Sequence, residues 1–257
     1  MTNSIVLADL SIKDTARKVM RALGYDIRRY RPHQDPWRRL QLSLERHEVT
    51  VLLDVGANSG QFDRSIRKAG YRGRIISFEP LSEAHAKLLA ASRHDPLWTV
   101  PPRWALAASC GKVQVNIAAN SQSSSILSML KRHIAGALKR HIAGAPEAVY
   151  VGKETVATTT LDSFLDGEPD LGDTRIGLKI DTQGYEAEVL AGLDKWSKGI
   201  EVIMAEMSLT ALYDGELEFV DLFQMIQNRG YHCISIEPGF TDPRTFEVLQ
   251  VDAVFER

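Results

Sequence analysis

Val49-Thr50-Val51-Leu52-Leu53-Asp54-Val55-Gly56-Ala57-Asn58-Ser59-Gly60 is the stretch on which the fold turns. Its first seven residues form a short apolar, β-branched run of the kind that fills a strand covered on both faces. Two glycines four residues apart then punctuate the chain, and Gln61–Ala69 follows with helical spacing. Strand, glycine turn and helix in that order make the first βα unit of a nucleotide-binding sheet, Gly56 allowing the tight turn and Gly60 a close approach at the helix start. The next strand, Arg74–Phe78, runs into Glu79-Pro80, about twenty residues beyond the turn. A carboxylate there suits the two hydroxyls of a ribose.

Outward from this unit the pattern repeats. Strands are expected at Val49–Val55, Arg74–Phe78, Thr99–Ala107, Ile176–Ile180, Val202–Met207, His232–Ile236 and Val248–Phe255. Helices are expected at Gln61–Ala69, Ser82–Ala91, Glu186–Ala191 and Leu217–Asn228. Alternation of this kind predicts an α/β fold, a Rossmann-like parallel sheet with helices on both faces. The last two strands are joined by the turn-rich Glu237-Pro-Gly-Phe-Thr-Asp-Pro-Arg244 and should pair antiparallel, giving a seven-stranded, mostly parallel sheet with a C-terminal hairpin.

Two segments lie outside this rhythm. Residues 1–46 carry ten Lys/Arg against five acids, and Ile12, Ala16, Val19, Met20 and Leu23 repeat at helical spacing up to Gly24. Residues 1–48 therefore read as a basic helical extension, either docked on the main domain or in peripheral contact with an anionic membrane. At about 111–158 an inserted hairpin and loop begins with the alternating Val113, Val115 and Ile117, continues through Ser123-Ser124-Ser125, and contains a direct repeat, Leu130-Lys-Arg-His-Ile-Ala-Gly-Ala137 followed by the same octapeptide to Ala145. Eight residues overshoot two helical turns by about 80°, so the copies would not share one helix face; an exposed duplication is the simpler reading, a lid carrying Arg132, His133, Arg140 and His141 the other.

Composition narrows the function. The 31 Lys/Arg and 33 Asp/Glu nearly cancel, which disfavours a nucleic-acid partner for the chain as a whole. No run of about 18 apolar residues and no leader pattern at Met1–Val6 stand out, so a cytoplasmic location is expected, with the inner membrane face open to the basic helix. Cys110 and Cys233 have neither disulfide nor metal-ligand spacing and read as buried small hydrophobes.

The spacing Gly-x-x-x-Gly departs from the Gly-x-Gly-x-x-Gly that closes around a pyrophosphate, and no phosphate-binding lysine motif is present. A ligand with ribose and adenine but no phosphate suits the loop better, with Asp54 available to an ammonium group. S-adenosylmethionine has those features.

The segments Asp54-Val-Gly-Ala-Asn-Ser-Gly60, Phe78-Glu-Pro80, Thr159-Thr-Leu-Asp-Ser-Phe164 and Lys179-Ile-Asp-Thr-Gln-Gly-Tyr-Glu186, in that order, resemble the FkbM family of S-adenosylmethionine-dependent methyltransferases. The likeness spans roughly residues 49–207 and is greatest to actinobacterial members that O-methylate deoxysugars of glycolipids. It implies a class I methyltransferase fold over residues 49–257. It further implies that Asp54, Gly56, Asn58 and Gly60 hold the methionine part of the cofactor, that Glu79 binds the ribose, and that Trp104-Ala105 border the adenine. The octapeptide duplication departs from the family, as does Gln183, where an acidic residue is usual.

Asp181, at the carboxyl end of its strand beside the ligand crevice, is the leading catalytic candidate, as general base or as an orienting group. Glu206, at the same edge, would complete a carboxylate pair that binds acceptor hydroxyls; without a third ligand the pair does not indicate a metal. Glu186 reads as a first-turn helix carboxylate, and Lys179 as a paired buried lysine. Competing functions are a nucleic-acid methyltransferase, a nicotinamide-dependent oxidoreductase, and a non-catalytic scaffold on the same fold; self-association is open.

Overall fold

A computed structural model describes residues 14–27, 29–118, 124–127, 150–169, 171 and 174–257. The octapeptide repeat, Ser123 and Ile12 lie outside the described residues. The chain divides into two compact units, Met1–Arg39 and Leu40–Arg257.

In the first unit, residues 14–22 form helix α1, which ends at Gly24 in the left-handed conformation. Arg17, Lys18 and Arg21 share this helix with Val19, and Val19 and Leu23 are more than half exposed. Helix α2, Pro36–Arg46, crosses the boundary between the units. Proline starts it without loss, since the first helical N–H has no intrahelical partner. Leu40 and Leu44, one turn apart, are buried and begin the larger unit.

That unit is built on a seven-stranded sheet. β1 (Val51–Val55) leads through the glycine turn into α3 (Gln61–Ala69), then β2 (Arg74–Phe78), α4 (Ser82–Ser92) and a two-residue β3 (Trp98–Thr99). A second, three-stranded sheet follows, formed by β4 (Trp104–Leu106), β5 (Gly111–Ala118) and β6 (Tyr150–Thr159). Next come α5 (Leu161–Gly167), β7 (Ile176–Ile180), α6 (Glu186–Ala191), β8 (Ile200–Ser208), α7 (Phe219–Gln227), β9 (His232–Pro238) and β10 (Gln250–Glu256). The main sheet runs β3-β2-β1-β7-β8-β10-β9, with β10 antiparallel to both of its neighbours. The expected mostly parallel seven-stranded sheet with a reversed C-terminal hairpin is the observed one.

β1 and β7 are buried at every residue, as strands covered by helices on both faces must be. Val51, Leu53 and Val55 join one core layer with Phe164, Leu190 and Phe255. Leu52 faces the other, with Leu44, Phe62, Ile66 and Trp98. No helix among the described residues is long and apolar enough to cross a membrane.

Two expectations need correction. Thr99–Ala107 is not one strand: Trp98–Thr99 pairs with β2, whereas Trp104–Leu106 pairs with β6 in the second sheet. Pro101 and Pro102 separate the pieces, because prolines carry no N–H for a continuing ladder. The cysteines are not buried: Cys110 is exposed in the connection before β5, and Cys233 is half-buried on the edge strand β9.

Candidate active site

The turn after β1 is held in shape by three left-handed residues, Gly56 (φ +81°), Asn58 (φ +48°) and Gly60 (φ +79°). A Cβ on Gly56 would lie 1.8 Å from the main-chain oxygen of Asp181, and one on Gly60 2.6 Å from the Trp98 ring. Glycine is therefore required twice, once for each approach. Every N–H from Gly56 to Gly60 is already used: Gly56 and Ala57 donate to the Phe78 carbonyl (3.1 and 3.0 Å), and Gly60 to that of Ala57 (2.8 Å). Asn58 donates to Glu79 Oε2 (2.9 Å) and Ser59 to Gln61 Oε1 (3.2 Å). A phosphate needs such donors free, so the turn suits a nucleoside ligand without one.

Glu79 closes this half of the site. Its Oε2 accepts from Asn58 and its Oε1 from the N–H of Leu81 (2.9 Å), so one carboxylate ties the glycine turn to the start of α4. Burial pushes its pKa up to about 7, against the pull of the two backbone bonds. Each carboxylate oxygen has further acceptor capacity for a hydroxyl.

Asp54 is elsewhere than the sequence suggests. It is fully buried under the turn, and its Oδ1 meets Lys179 Nζ at 2.9 Å because Asp54 and Lys179 face each other in the β1–β7 register. Its carboxylate faces this lysine and not the crevice, so it stabilises the turn from beneath. Asp63, from the first turn of α3, is buried beside it. Burial first, then the charge of Asp54, pushes Asp63 well above its ordinary value. Lys179 also donates to the Gly56 carbonyl (3.2 Å) and stands 3.5 Å from Asp181 Oδ2. Burial alone would lower the lysine, but Asp54, Asp181 and Asp63 hold it above its ordinary value. The expected paired lysine is thus observed, and it links the turn to the catalytic candidate.

Trp104 is half-buried edge-on to Phe164, their centroids 6.2 Å apart. Ala105 is covered in a small cluster with Leu81, Ala84, Val115 and Val156. Ala105 offers no surface to an adenine, because the break at Pro101-Pro102 moves this pair into the second sheet.

At the other half, Ile180 pairs with Ala205, so Asp181 and Glu206 are the next residues on neighbouring strands. Gln183 joins them, its Nε2 donating to Asp181 Oδ1 (3.0 Å) and to Glu206 Oε2 (2.7 Å). Gln250, from β10, donates to the same Glu206 oxygen (2.8 Å). Burial, then repulsion from Asp181 and Glu186, pushes Glu206 well above its ordinary value. The Asp181 side chain remains about one-third exposed.

Glu186 accepts from the N–H of Thr182 (2.8 Å) and of Gly184 (3.2 Å), fixing the loop that carries Gln183. Its role is structural. Of the described members of the serine cluster, Ser125 reaches the site: it is buried and its hydroxyl donates to the Gln183 carbonyl (2.6 Å). Sequence reasoning missed Gln183 and Gln250 as partners of the carboxylates, and Tyr213, whose hydroxyl donates to Gln183 Oε1. Only the glutamine in place of an expected acid marked the spot.

Among the described residues no group of three or more His, Cys, Asp or Glu could hold a metal ion. The constellation brings two carboxyl groups, one partly exposed and one buried, and fixed amide donors beside the glycine turn.

Residues 54–233 match the methyltransferase FkbM domain family. Comparison with curated protein sequences gives no significant match. Among solved structures, the chain is similar to precorrin-6y C5,15-methyltransferase from Geobacter metallireducens GS-15 (11% identity, TM-score 0.39, covering 86% of this chain and 88% of that one). It is also similar to an rRNA methylase from Streptococcus thermophilus (8% identity, TM-score 0.41, 87% and 97%). A third is Aeropyrum pernix fibrillarin with natively bound S-adenosyl-L-methionine (12% identity, TM-score 0.37, 80% and 66%).

Proposed function

The chain belongs to the methyltransferase FkbM domain family, and from that premise we propose that it transfers a methyl group from S-adenosylmethionine to a hydroxyl of a small-molecule or glycolipid sugar, a deoxyhexose being favoured. The observation that carries this reading is the contact of Gly56 with the main chain of Asp181: the turn that would hold the cofactor and the carboxylate that would meet the acceptor are neighbours. The turn's fully used N–H groups support a cofactor without phosphates.

Bound S-adenosylmethionine supplies an electrophilic methyl group on a sulfonium centre. Glu79 would accept the ribose hydroxyls, and the rim of the turn from Gly56 to Gly60 would meet the methionine part. Asp54 acts from beneath through Lys179. Asp181 would take the proton of the acceptor hydroxyl, its orientation fixed by Gln183 on one oxygen and Lys179 near the other. Holding acceptor and methyl donor in one fixed arrangement would supply much of the remaining acceleration.

Calorimetric titration with S-adenosylhomocysteine and NADH tests the cofactor, followed by transfer of labelled methyl to a panel of deoxysugars and deoxysugar glycolipids. Binding of the sulfur nucleoside without NADH, and label in a sugar hydroxyl, is the expected result. Binding of NADH alone by folded protein would overturn it.

The basic N-terminal segment supports a second contact, with an anionic membrane. Val19, Leu23, Tyr25, Ile27 and Tyr30 are each more than half exposed among Arg17, Lys18, Arg21, Arg29 and Arg31. Deleting residues 1–30 should abolish binding to anionic vesicles and leave nucleoside affinity intact; vesicle binding that persists after the deletion rejects this contact.

A further inference from the structure

Gln183 is held on every side. Besides donating to Asp181 and Glu206, its Oε1 accepts from the Tyr213 hydroxyl (3.1 Å), which fixes which end of the carboxamide faces the acids. Its backbone is left-handed, φ +56°, a conformation that costs a non-glycine residue energy and persists only where the surroundings over-determine it. Ser125 on its carbonyl, Glu186 on the flanking N–H groups and the Tyr213 ring against Gly184 supply that constraint.

An NH2 group that donates to two carboxylates occupies the position a bridging cation takes in a dicarboxylate site. It differs by bringing no charge. Two acids joined by a neutral donor cannot both ionise cheaply, so one keeps a proton. Burial first, then Asp181, pushes Glu206 up, and its Oε2 accepts two amide N–H groups, one from Gln183 and one from Gln250. A glutamate at 183 would instead give three carboxylates converging on one point, the donor set of a divalent-cation site.

We propose that Gln183 is a positioning residue that takes the place of a bridging divalent cation, holding Asp181 and Glu206 in one fixed orientation so that the crevice works without a metal. The catalytic roles of the two acids rest on the methyltransferase reading above; the bridging role of Gln183 does not.

The test is titration of Mn(II) alone into the full chain, followed by electron paramagnetic resonance, with thermal melts in the presence and absence of Mn(II). Wild type, Gln183→Glu and Gln183→Leu are compared. Wild type should show no saturable site and no change in melting temperature. Gln183→Glu should gain a saturable site and a melting temperature that Mn(II) raises, whereas Gln183→Leu should gain neither. A folded Gln183→Glu that binds no Mn(II), or a wild-type site abolished by Glu206→Gln, overturns the proposal. If Gln183→Glu does not fold, the wild-type titration decides alone, absence of a site supporting the proposal and a site lost in Glu206→Gln refuting it. S-adenosylhomocysteine titration of the same preparations reports separately on the cofactor reading: its failure in every folded protein would sink that reading and leave the Mn(II) result standing. With an acceptor in hand, chelator should leave wild-type kcat unchanged, and Gln183→Leu should lower kcat at least tenfold with an unchanged KM for the methyl donor.

Discussion

Glu79 should make stability and affinity for S-adenosylhomocysteine respond to pH in opposite directions. Its carboxyl titrates near 4.5 in the unfolded chain and at about 7 when folded. Between those values the folded protein holds a proton that the unfolded chain has lost. The stability contribution is thus fully present below about pH 4.5, declines as pH rises to about 7 and is level above. At 1.36 kcal/mol per pH unit, that gap corresponds to about 3 kcal/mol. A ribose that donates two hydroxyls needs the ionised form, so affinity should fall about tenfold for each pH unit below 7 and reach a plateau above it. Hydrogen bonds to a charged group contribute about 1.5–3 kcal/mol each, so Glu79→Gln should weaken binding by about 100-fold at pH 8. The variant cannot accept from both Asn58 and Leu81, and one buried N–H left unpaired costs about 1–3 kcal/mol. Near pH 8 that loss roughly offsets the relief of the buried charge, leaving the ligand-free variant about as stable as wild type. Calorimetry with S-adenosylhomocysteine from pH 5.5 to 8.5, with urea unfolding of the free proteins, reads both slopes. A wild-type affinity that is flat across this range, or a slope that survives in Glu79→Gln, would refute the reasoning.

Three further outcomes are expected. Asp181→Asn should lower kcat by about 10²–10⁴, the usual contribution of a general base, with nucleoside affinity unchanged; a kcat within threefold would remove it as the base. Gly56→Ala combines a left-handed φ with a Cβ 1.8 Å from a main-chain oxygen, so it should cost at least about 3 kcal/mol by urea unfolding or abolish folding, and a smaller loss would mean that the turn can relax. Lys179→Met leaves Asp54 buried without its counter-charge, a loss of about 3–5 kcal/mol that Asp54→Asn in the same chain should partly restore; equal stabilities of the single and double variants would contradict the pairing.

What the sequence makes legible is local. Val51–Val55, the glycine turn and Gln61–Ala69 are consecutive, so period and turn chemistry identify the unit, and the hairpin carrying β10 follows from its own turn residues. The rest depends on register and on distant contacts. Asp54 looks exposed at a strand end, yet facing Lys179, 125 positions later, it becomes half of a buried ion pair. Gly60 reads as room for a ligand, whereas it is the Trp98 ring that needs the space. Trp104 reads as part of the main sheet because apolar residues continue past Pro101-Pro102, and it is its pairing with β6, about fifty residues on, that separates it. Gln183 reads as the loss of an acid; its bridging role follows from Ile180 and Ala205 standing side by side.

The position of β10 ties the carboxylates to the closing edge of the sheet. Among the described residues β9 pairs with β10 alone, and β10 lies between it and β8, so β9 joins the sheet through β10. Gln250, the first residue of β10, is the second amide on Glu206. The glycine turn and Glu79 rest on β1 and β2, separated from β10 by β7 and β8, so the turn and the amide-bridged carboxylates depend on different ends of the strand order.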